Sequence, residues 1–443
     1  MQEEGPPSHR YARLPVPAPL DALWSYRGRP VTDLNVVKAA RAAIIWRYTD
    51  DPGTLAQASR YLGWLVRFPW ELARRLCISG PDTRRRLGRG YAGQIADMLR
   101  MAVANGLMPR DYYAGELARH HGDAAILNYI PYHLYDTVAT HLTRAKSAYF
   151  ARVRDKLAFE TCCRAAGLPA VRTVAVVRAD GARLPSGEAF AGPLPAGDLI
   201  SKPIDGGQGK GVLAWRHVEG GTYASDPSQP VSAADLMAAL GQQARSVKAV
   251  LVQERLVNSP SLAKIAGSAL CTTRVVTLMN ERGEPEIVEA FYRTSVAGGA
   301  AIDNFHGGGI LFPIDLATGT LRPGCGAVFD ALKPVTIHPQ TGQPVAGEAM
   351  PGWDAISDLA IRLHTSFSDL LIAGWDIAYT PDGPVVIEVN VPPGITPQRQ
   401  GLTGPMVGKR FFSLIAHHAA QWLETAEPEG SRWRLRAGRR AGA

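Results

Sequence analysis

Apolar and polar residues follow two different periods along the chain, and the change falls near residue 150. Between residues 31 and 149, apolar residues recur at spacings of three and four, which is the period of an amphipathic helix. This spacing predicts helices over 35–49, 55–66, 92–104 and 126–148. We therefore expect a helical N-terminal region at 31–149, preceded at 1–30 by a flexible, Pro-rich arm without periodicity.

The stretch 61–76 of this region allows two interpretations. It combines Trp64, Phe68 and Trp70 with several arginines, a composition typical of a helix that lies on a membrane surface. Pro69 interrupts the helical pattern and favours a buried helix-turn-helix instead. We expect the buried helix-turn-helix.

The second half of the chain carries strand patterns. One more amphipathic helix, at 152–168, comes first and is stopped by Gly167. Runs of β-branched and aromatic residues then predict strands at 169–177, 199–203, 212–215, 247–253, 274–279, 286–292, 375–379 and 385–390. The mixture predicts an α+β chain, and its length suggests two or three domains.

The last two strands form a hairpin around a Pro-Asp-Gly turn at 381–383. Side chains alternate between faces along a strand, so Glu388 and Asn390 share one face. If Asp376 lies opposite Glu388, three oxygen-bearing side chains meet there. Oxygen donors of this kind suit Mg²⁺, which proteins often hold with carboxylates and nucleotide phosphates. Alternatively, these are ordinary acidic side chains on an exposed hairpin face.

A glycine-rich loop follows the strand 199–203, which delivers Lys202 to its entrance. The loop reads Asp205-Gly206-Gly207-Gln208-Gly209-Lys210-Gly211 and leads directly into the strand 212–215. Glycines let backbone N–H groups approach phosphate oxygens, and a lysine neutralises their charge. The same loop would also serve as a tight turn beside a surface lysine.

Composition narrows the function classes. The 443 residues are 46% hydrophobic and 20% charged, as in a globular protein, and no apolar run reaches transmembrane length. The start of the chain lacks signal-peptide features, and the five cysteines have no metal-binding spacing, so we expect a cytoplasmic protein. The net charge of +8 sits in basic runs without aromatic interleaving. This pattern argues against a nucleic-acid-binding groove. The positive charge is compatible with anionic substrates.

Taken in order, these features resemble the ATP-grasp superfamily over about residues 152–424. Three motifs are similar to its sugar-transfer-associated group: CTTRVVTL at 271–278, DNFHGGGILFPID at 303–315 and GWDIAYTPDGPVVIEVN at 374–390. The resemblance implies an ATP-grasp fold, in which two α+β subdomains clasp ATP. It places the lid-side subdomain at 150–253 and the metal-side subdomain at 254–426, followed by a basic, disordered tail at 427–443.

The resemblance also assigns roles to individual residues. Lys156 and Lys202 would contact ATP phosphates, and the loop residues Gly206, Gly207, Gln208, Gly209, Lys210 and Gly211 would close over them. Gln253, Glu254 and Leu256, at the end of the strand 247–253, would line the adenine and ribose pocket. The polar residues among them could equally be a hydrogen-bonded strand terminus. Asp376, Glu388 and Asn390 would hold two Mg²⁺ ions, with Mn²⁺ as a substitute.

The candidate catalytic residues are Arg274, Lys202 and Asn304. A strand arginine can bind acyl-phosphate oxygens with both arms, and the glycine run around Asn304 lets backbone donors approach an oxyanion. We do not assign a catalytic role to His306. Arg293 and Arg399 are weaker candidates for holding a carboxylate substrate.

The activity implied is a Mg²⁺- and ATP-dependent carboxylate–amine ligase, which forms an amide through an acyl phosphate in cell-surface sugar or secondary-metabolite biosynthesis. Its partners would be small carboxylates and amines, and the helical N-terminal region would cover the cleft, form a homodimer, or both. Two alternatives remain: a kinase that phosphorylates a hydroxyl, and a nucleotide-binding protein without catalysis.

Overall fold

A computed structural model describes most of the chain. The described residues are 31–48, 54–120, 124–146, 153, 155–204, 211–225, 229–267, 269–295, 309–326, 334–395 and 397–426. The predicted arm at 1–30, the tail at 427–443 and most of the glycine loop lie outside them.

The N-terminal region is helical, as predicted. Its helices are α1 Asp33–Tyr48, α2 Thr54–Leu87, α3 Tyr91–Asn105, α4 Pro109–Ala114 and α5 Tyr132–Lys146, with 3₁₀ turns at Leu117–His120 and Ala124–Asn128. Helices α1 and α5 pack with the C-terminal helix α10, Arg410–Ala426, around apolar side chains such as Val37, Leu134 and Phe412. Burial of these apolar stripes attaches the region to the rest of the molecule.

The helix-turn-helix predicted from Pro69 is wrong. Helix α2 runs without a break from Thr54 to Leu87 and contains both Pro69 and Pro81. An internal proline costs about 3 kcal/mol, partly because the carbonyl four residues earlier loses its hydrogen bond. That carbonyl belongs to Leu65, whose side chain is exposed, so water can solvate it. Phe68, next to the proline, is buried and anchors this part of the helix.

The first sheet has seven strands. In spatial order these are β2 Gly181–Arg183, β1 Thr173–Arg178, β7 Val250–Glu254, β3 Leu199–Pro203, β4 Leu213–Val218, β5 Thr222–Ala224 and β6 Val231–Ser232. Helix α7, Ala233–Gln243, covers one face through Leu236 and Leu240. Helix α6, Lys156–Ala165, precedes β1, and Gly167 ends it with a positive φ of 67°.

The second sheet has six strands. In spatial order these are β11 Cys325–Gly326, β10 Ile310–Pro313, β9 Pro285–Thr294, β8 Thr272–Met279, β12 Ile372–Thr380 and β13 Gly383–Asn390. Helix α8, Trp353–Ser366, packs on one face, and α1, α5 and α10 pack on the other. Strand β13 leads through 391–395 into the short helix α9, Pro397–Thr403.

Backbone hydrogen bonds join the two sheets beside the candidate site. The Val171 N–H donates to the Val386 carbonyl at 3.1 Å, and the Val386 N–H donates to the Pro169 carbonyl at 2.9 Å. The segment that enters β1 therefore runs along β13 and fixes α6 next to the β12–β13 hairpin. The α+β architecture is thus confirmed, whereas the domain boundaries stay predictions. Among the helices that the structure describes, none is long and apolar enough to cross a bilayer.

Candidate active site

The β12–β13 hairpin brings the three predicted metal ligands onto one face. Asp376 lies directly opposite Glu388, and Gly374 lies opposite Asn390. The amide nitrogen of Asn390 stands 3.4 Å from Asp376 Oδ2. A two-residue turn, Pro381 and Asp382, connects the strands.

A β-bulge lies next to these residues. After the pair Asp376–Glu388, the next pair is Ile377 with Val386, so Ile387 is the extra residue. The bulge turns Val386 into the core that Ile377 lines. Simple alternation predicts that Ile387 faces this core, and the structure corrects that expectation. Bulges often re-aim side chains beside functional sites, and this one keeps Glu388 beside Asp376.

Alternation along β12 separates the core from the site. Trp375 is fully buried on one face and donates its indole N–H to Thr277 Oγ1 at 2.7 Å. Gly374 and Asp376 occupy the other face. A Cβ at Gly374 would lie 2.7 Å from Pro393 Cβ and 3.1 Å from Arg274 Cδ. Glycine is required here because the chain after β13 and the arginine both approach the strand closely.

Two arginines bind Asp376 from neighbouring strands. Arg274, on β8, lies directly opposite Asp376 and donates to its two oxygens through Nε and Nη2. Arg293, on β9, donates to Oδ2 through Nη1 at 3.1 Å. This row of side chains crosses four adjacent strands. It places the predicted catalytic arginine against a predicted metal ligand.

The electrostatics of the row are uneven. Burial works against ionisation of Asp376, but Arg274 and Arg293 outweigh it and lower the pKa of this carboxyl to about 2. Burial and the negative charge of Asp376 raise the pKa of Glu388, against the influence of Lys202 and Arg274. Two adjacent carboxylates resist double ionisation because their negative charges repel each other. Here the effect appears at Glu388, whose pKa is raised, while that of Asp376 is lowered. An added cation at Glu388 would remove it.

Two lysines act on Glu388, one from the seven-stranded sheet and one from helix α6. Lys202 is the second-last residue of β3, is buried, and has a pKa lowered to about 8, chiefly by burial and partly by Lys156. Glu388 opposes this shift. Lys156 begins helix α6, where Asp155 caps the helix, and its Nζ donates to the Pro203 carbonyl at 3.2 Å. Each lysine is close enough to Glu388 to influence its pKa.

The predicted glycine loop lies between β3 and β4 in the sequence, and these two strands pair antiparallel. Gly206, Gly207, Gln208, Gly209 and Lys210 lie outside the described residues. Gly211 closes the loop with a φ of +75°, and a Cβ there would come within 3.0 Å of Pro203 Cγ. The loop therefore leaves and rejoins the sheet next to Lys202.

The predicted nucleotide-base residues lie at the end of β7. Gln253 is buried, and its amide donates to Thr173 Oγ1 at 2.9 Å. Thr173 in turn donates through its N–H and its hydroxyl to the buried Glu160. Glu254 pairs with Arg172 at 3.1 Å, and Leu256 is half-buried.

Glu160 and Thr173 were not predicted from the sequence as site residues. Glu160 lies four residues after Lys156, on the same face of α6, and that spacing was the available signal.

The described donor set fits a magnesium ion that is completed by phosphates. No group of three or more His, Cys, Asp or Glu side chains capable of holding a metal occurs in the described part of the chain. The hairpin instead offers two carboxylates and the amide oxygen of Asn390. Mg²⁺ commonly takes one or two carboxylates together with phosphates and water. The raised pKa of Glu388 marks the oxygen that gains most from such a cation.

Three further candidates remain: Arg399, Asn304 and His306. Arg399 is buried, pairs with Glu289, and stacks its guanidinium over Phe291 and Phe411 at 4.9 and 5.5 Å. It is thus engaged inside the protein. Asn304 and His306 lie outside the described residues.

Comparison with protein families matches residues 141–406, more than half of the chain, to the family described as sugar-transfer associated ATP-grasp. No curated protein matches the sequence.

Several solved structures are similar, at low identity. D-alanyl-alanine synthetase A from Vibrio cholerae O1 biovar eltor is 13% identical over 62% of this chain and 66% of its own, with a TM-score of 0.36. The L-amino acid ligase from Bacillus licheniformis is 13% identical over 55% of this chain and 41% of its own, with a TM-score of 0.30. The biotin carboxylase domain of the Hydrogenobacter thermophilus 2-oxoglutarate carboxylase, in complex with MgADP, is 11% identical over 66% of this chain and 53% of its own, with a TM-score of 0.38. The chain spans less than two thirds of the length of each of these proteins.

Proposed function

The chain belongs to the sugar-transfer associated ATP-grasp family, and from this premise we propose that it is an ATP- and Mg²⁺-dependent carboxylate–amine ligase. The observation that carries the proposal is a cluster of charges around Glu388. Asp376 and Arg274 lie beside it on the six-stranded sheet, and Lys202 of β3 and Lys156 of helix α6 act on it from the other side. Cations for phosphates and oxygens for a metal therefore lie together, near the strand β3 that precedes the glycine loop.

In the proposed reaction, a substrate carboxylate oxygen attacks the γ-phosphorus of ATP, and the bond to the β-phosphate oxygen breaks to release ADP. An amine then attacks the carbonyl carbon of the acyl phosphate, phosphate leaves, and the amine loses a proton. Bound Mg²⁺ would neutralise the phosphate oxygens of the nucleotide.

The residues of the chain would act by position and charge. Lys202 and Lys156 would hold phosphate oxygens, with Gly206, Gly207, Gln208, Gly209, Lys210 and Gly211 above them. Arg274 would bind the transferring group while Asp376 fixes its orientation, and Asn304 would bind the developing oxyanion. Gln253, Glu254 and Leu256 would line the base pocket. Asp376, Glu388 and Asn390 would hold two metal ions.

We assign the lid side to 150–253 and the metal side to 254–426. We also propose that the protein functions in a reducing cytoplasm, and its five free cysteines support this.

The test measures ADP and phosphate release with Mg²⁺ across a panel of carboxylates and amines, with and without hydroxylamine as a trap. The proposal expects carboxylate-dependent ADP release and a hydroxamate product. Phosphate retained on a hydroxyl acceptor, with no amine requirement, would establish the kinase instead. ATP binding by calorimetry without turnover on any substrate would favour the non-catalytic alternative.

A further inference from the structure

Helix α2 carries an apolar face that no described part of the chain covers. Leu62, Leu65, Val66, Pro69 and Trp70 are all exposed, and we call them the outer stripe; Val66 is 76% and Trp70 62% exposed. Their spacing of three, four, seven and eight residues puts them on one side of the helix. The helix packs on the fold through the buried Phe68 and the half-buried Leu72 and Leu76.

The charges beside the outer stripe have one sign. Arg67, Arg74 and Arg85 are exposed, and intervals of seven and eleven residues place them along one edge of the stripe. Arg74 lies over the Trp70 ring at 5.6 Å. Glu71 is the only acidic residue between positions 62 and 81 of the sequence, and it is buried.

The next helix has a similar composition on its exposed side. Leu99, Arg100 and Val103 of α3 face solvent, whereas the acidic Asp97 is buried and bound by Arg89 at 2.8 Å. Residues 61–106 contain eight arginines, no lysine and three acidic residues. Acidic side chains that would repel an anionic partner are therefore buried or, at Asp82, paired with Arg85 and Arg86.

We propose that the outer stripe of α2 docks on an anionic membrane surface, with Leu62, Leu65, Val66 and Trp70 entering the headgroup region and the flanking arginines binding lipid phosphates. A helix that combines an apolar face with basic residues and low overall hydrophobicity lies in the plane of the interface. Charge complementarity decides the occupant: an apolar partner protein needs no arginine edge, whereas each arginine near an anionic bilayer strengthens binding. The docking would bring the enzyme to lipid-linked or membrane-proximal substrates.

The experiment is co-sedimentation of the full chain with phosphatidylcholine vesicles that contain or lack phosphatidylglycerol, at low and high salt. We expect binding to the anionic vesicles that weakens with salt. The double variant Val66→Glu with Trp70→Glu should lose about tenfold or more in affinity. Arg67→Ala with Arg74→Ala should lose about fivefold per arginine and most of the salt dependence.

The matched control is Leu316→Glu with Ile337→Glu, which adds two charges at exposed apolar positions outside α2 and should bind like the unaltered chain. Circular dichroism and melting establish that each variant folds. Absence of binding to anionic vesicles at low salt overturns the proposal. Sedimentation velocity covers the competing occupant: a dimer that Val66→Glu with Trp70→Glu dissociates, without vesicle binding, would show that a second copy covers the stripe.

Discussion

The two sides of the candidate site differ in how far their charges are satisfied. On the six-stranded sheet, two arginines bind the Asp376 carboxylate and lower its pKa to about 2. On the seven-stranded sheet, burial lowers the pKa of Lys202 to about 8, and Glu388 between the two sides has a raised pKa. One side is electrostatically complete, whereas the other gains from an added cation or anion. Under the proposed function, the six-stranded sheet positions Asp376 and Arg274, whereas Lys202 and Glu388 bind the ligands.

The largest expected effect comes from removing Glu388, where the incomplete side meets the metal. Glu388→Ala should lower the rate of ADP release by about 10³-fold. The variant would lose the carboxylate that holds Mg²⁺, and with it the cation that neutralises the phosphate charge. Saturating Mg²⁺ should rescue part of the loss if the residue is a metal ligand. Steady-state kinetics across a Mg²⁺ titration measures both effects.

Glu388→Gln guards against a folding defect, since it keeps the shape and one oxygen beside Lys202. Glu284→Gln, at an exposed glutamate far along the sequence, is the matched control and should not alter turnover. Full activity in Glu388→Ala would show that the hairpin does not hold the metal and would contradict the proposed difference between the two sides.

The complete side is tested at Arg274. Arg274→Ala should lower turnover about 10²-fold and change the ATP dissociation constant much less, because the arginine would act on the transferring group. Single-turnover kinetics and calorimetry separate the two quantities.

Arg293 provides the comparison for this variant, because it binds the same carboxylate through one nitrogen only. Arg293→Ala should cost less turnover than Arg274→Ala, since the two-oxygen contact from Arg274 still orients Asp376. Equal losses in both variants would mean that the arginines serve only to hold Asp376 in place.

Local patterns predicted most of the elements. Strand β3 occupies the predicted residues 199–203, and the hairpin strands contain the predicted ones, because alternation and turn residues act over a few positions. The continuity of helix α2 past Pro69 was missed for the opposite reason. Pro69 is a local breaker, but the burial of Phe68 next to it anchors this part of the helix.

The sequence predicted which residues form the candidate site but not which of them contact each other. Face alternation could place Asp376 beside Glu388, but the bulge at Ile387 and the two arginines on Asp376 depend on contacts between distant strands. The Gln253–Thr173 hydrogen bond joins residues 80 positions apart, which no sequence spacing reveals. Long-range contacts also set the pKa values, so the contrast between the two sides becomes visible only in the folded chain.

The smallest expected effect, and the most direct probe of the incomplete side, is the pH dependence at Lys202. Its pKa in the native protein is about 8, against 10.5 for an ordinary lysine. Between these values the unfolded chain keeps a proton that the native chain has lost, so the free energy of unfolding should rise with pH. ATP affinity should change in the opposite direction, falling by up to about tenfold per pH unit above this pKa, because the neutral amine no longer attracts phosphate.

Lys409 makes this test specific. It is also a buried lysine, with a pKa lowered to about 7 by burial and by Arg399, but it lies near Glu289 and Thr403, away from the row at Glu388. Lys409→Met should reduce the rise of stability with pH and leave the pH dependence of ATP binding intact. Lys202→Met should flatten both. Chemical denaturation and calorimetry over this pH range measure the two slopes, and an ATP affinity that stays constant with pH in the unaltered chain would show that Lys202 does not bind phosphate.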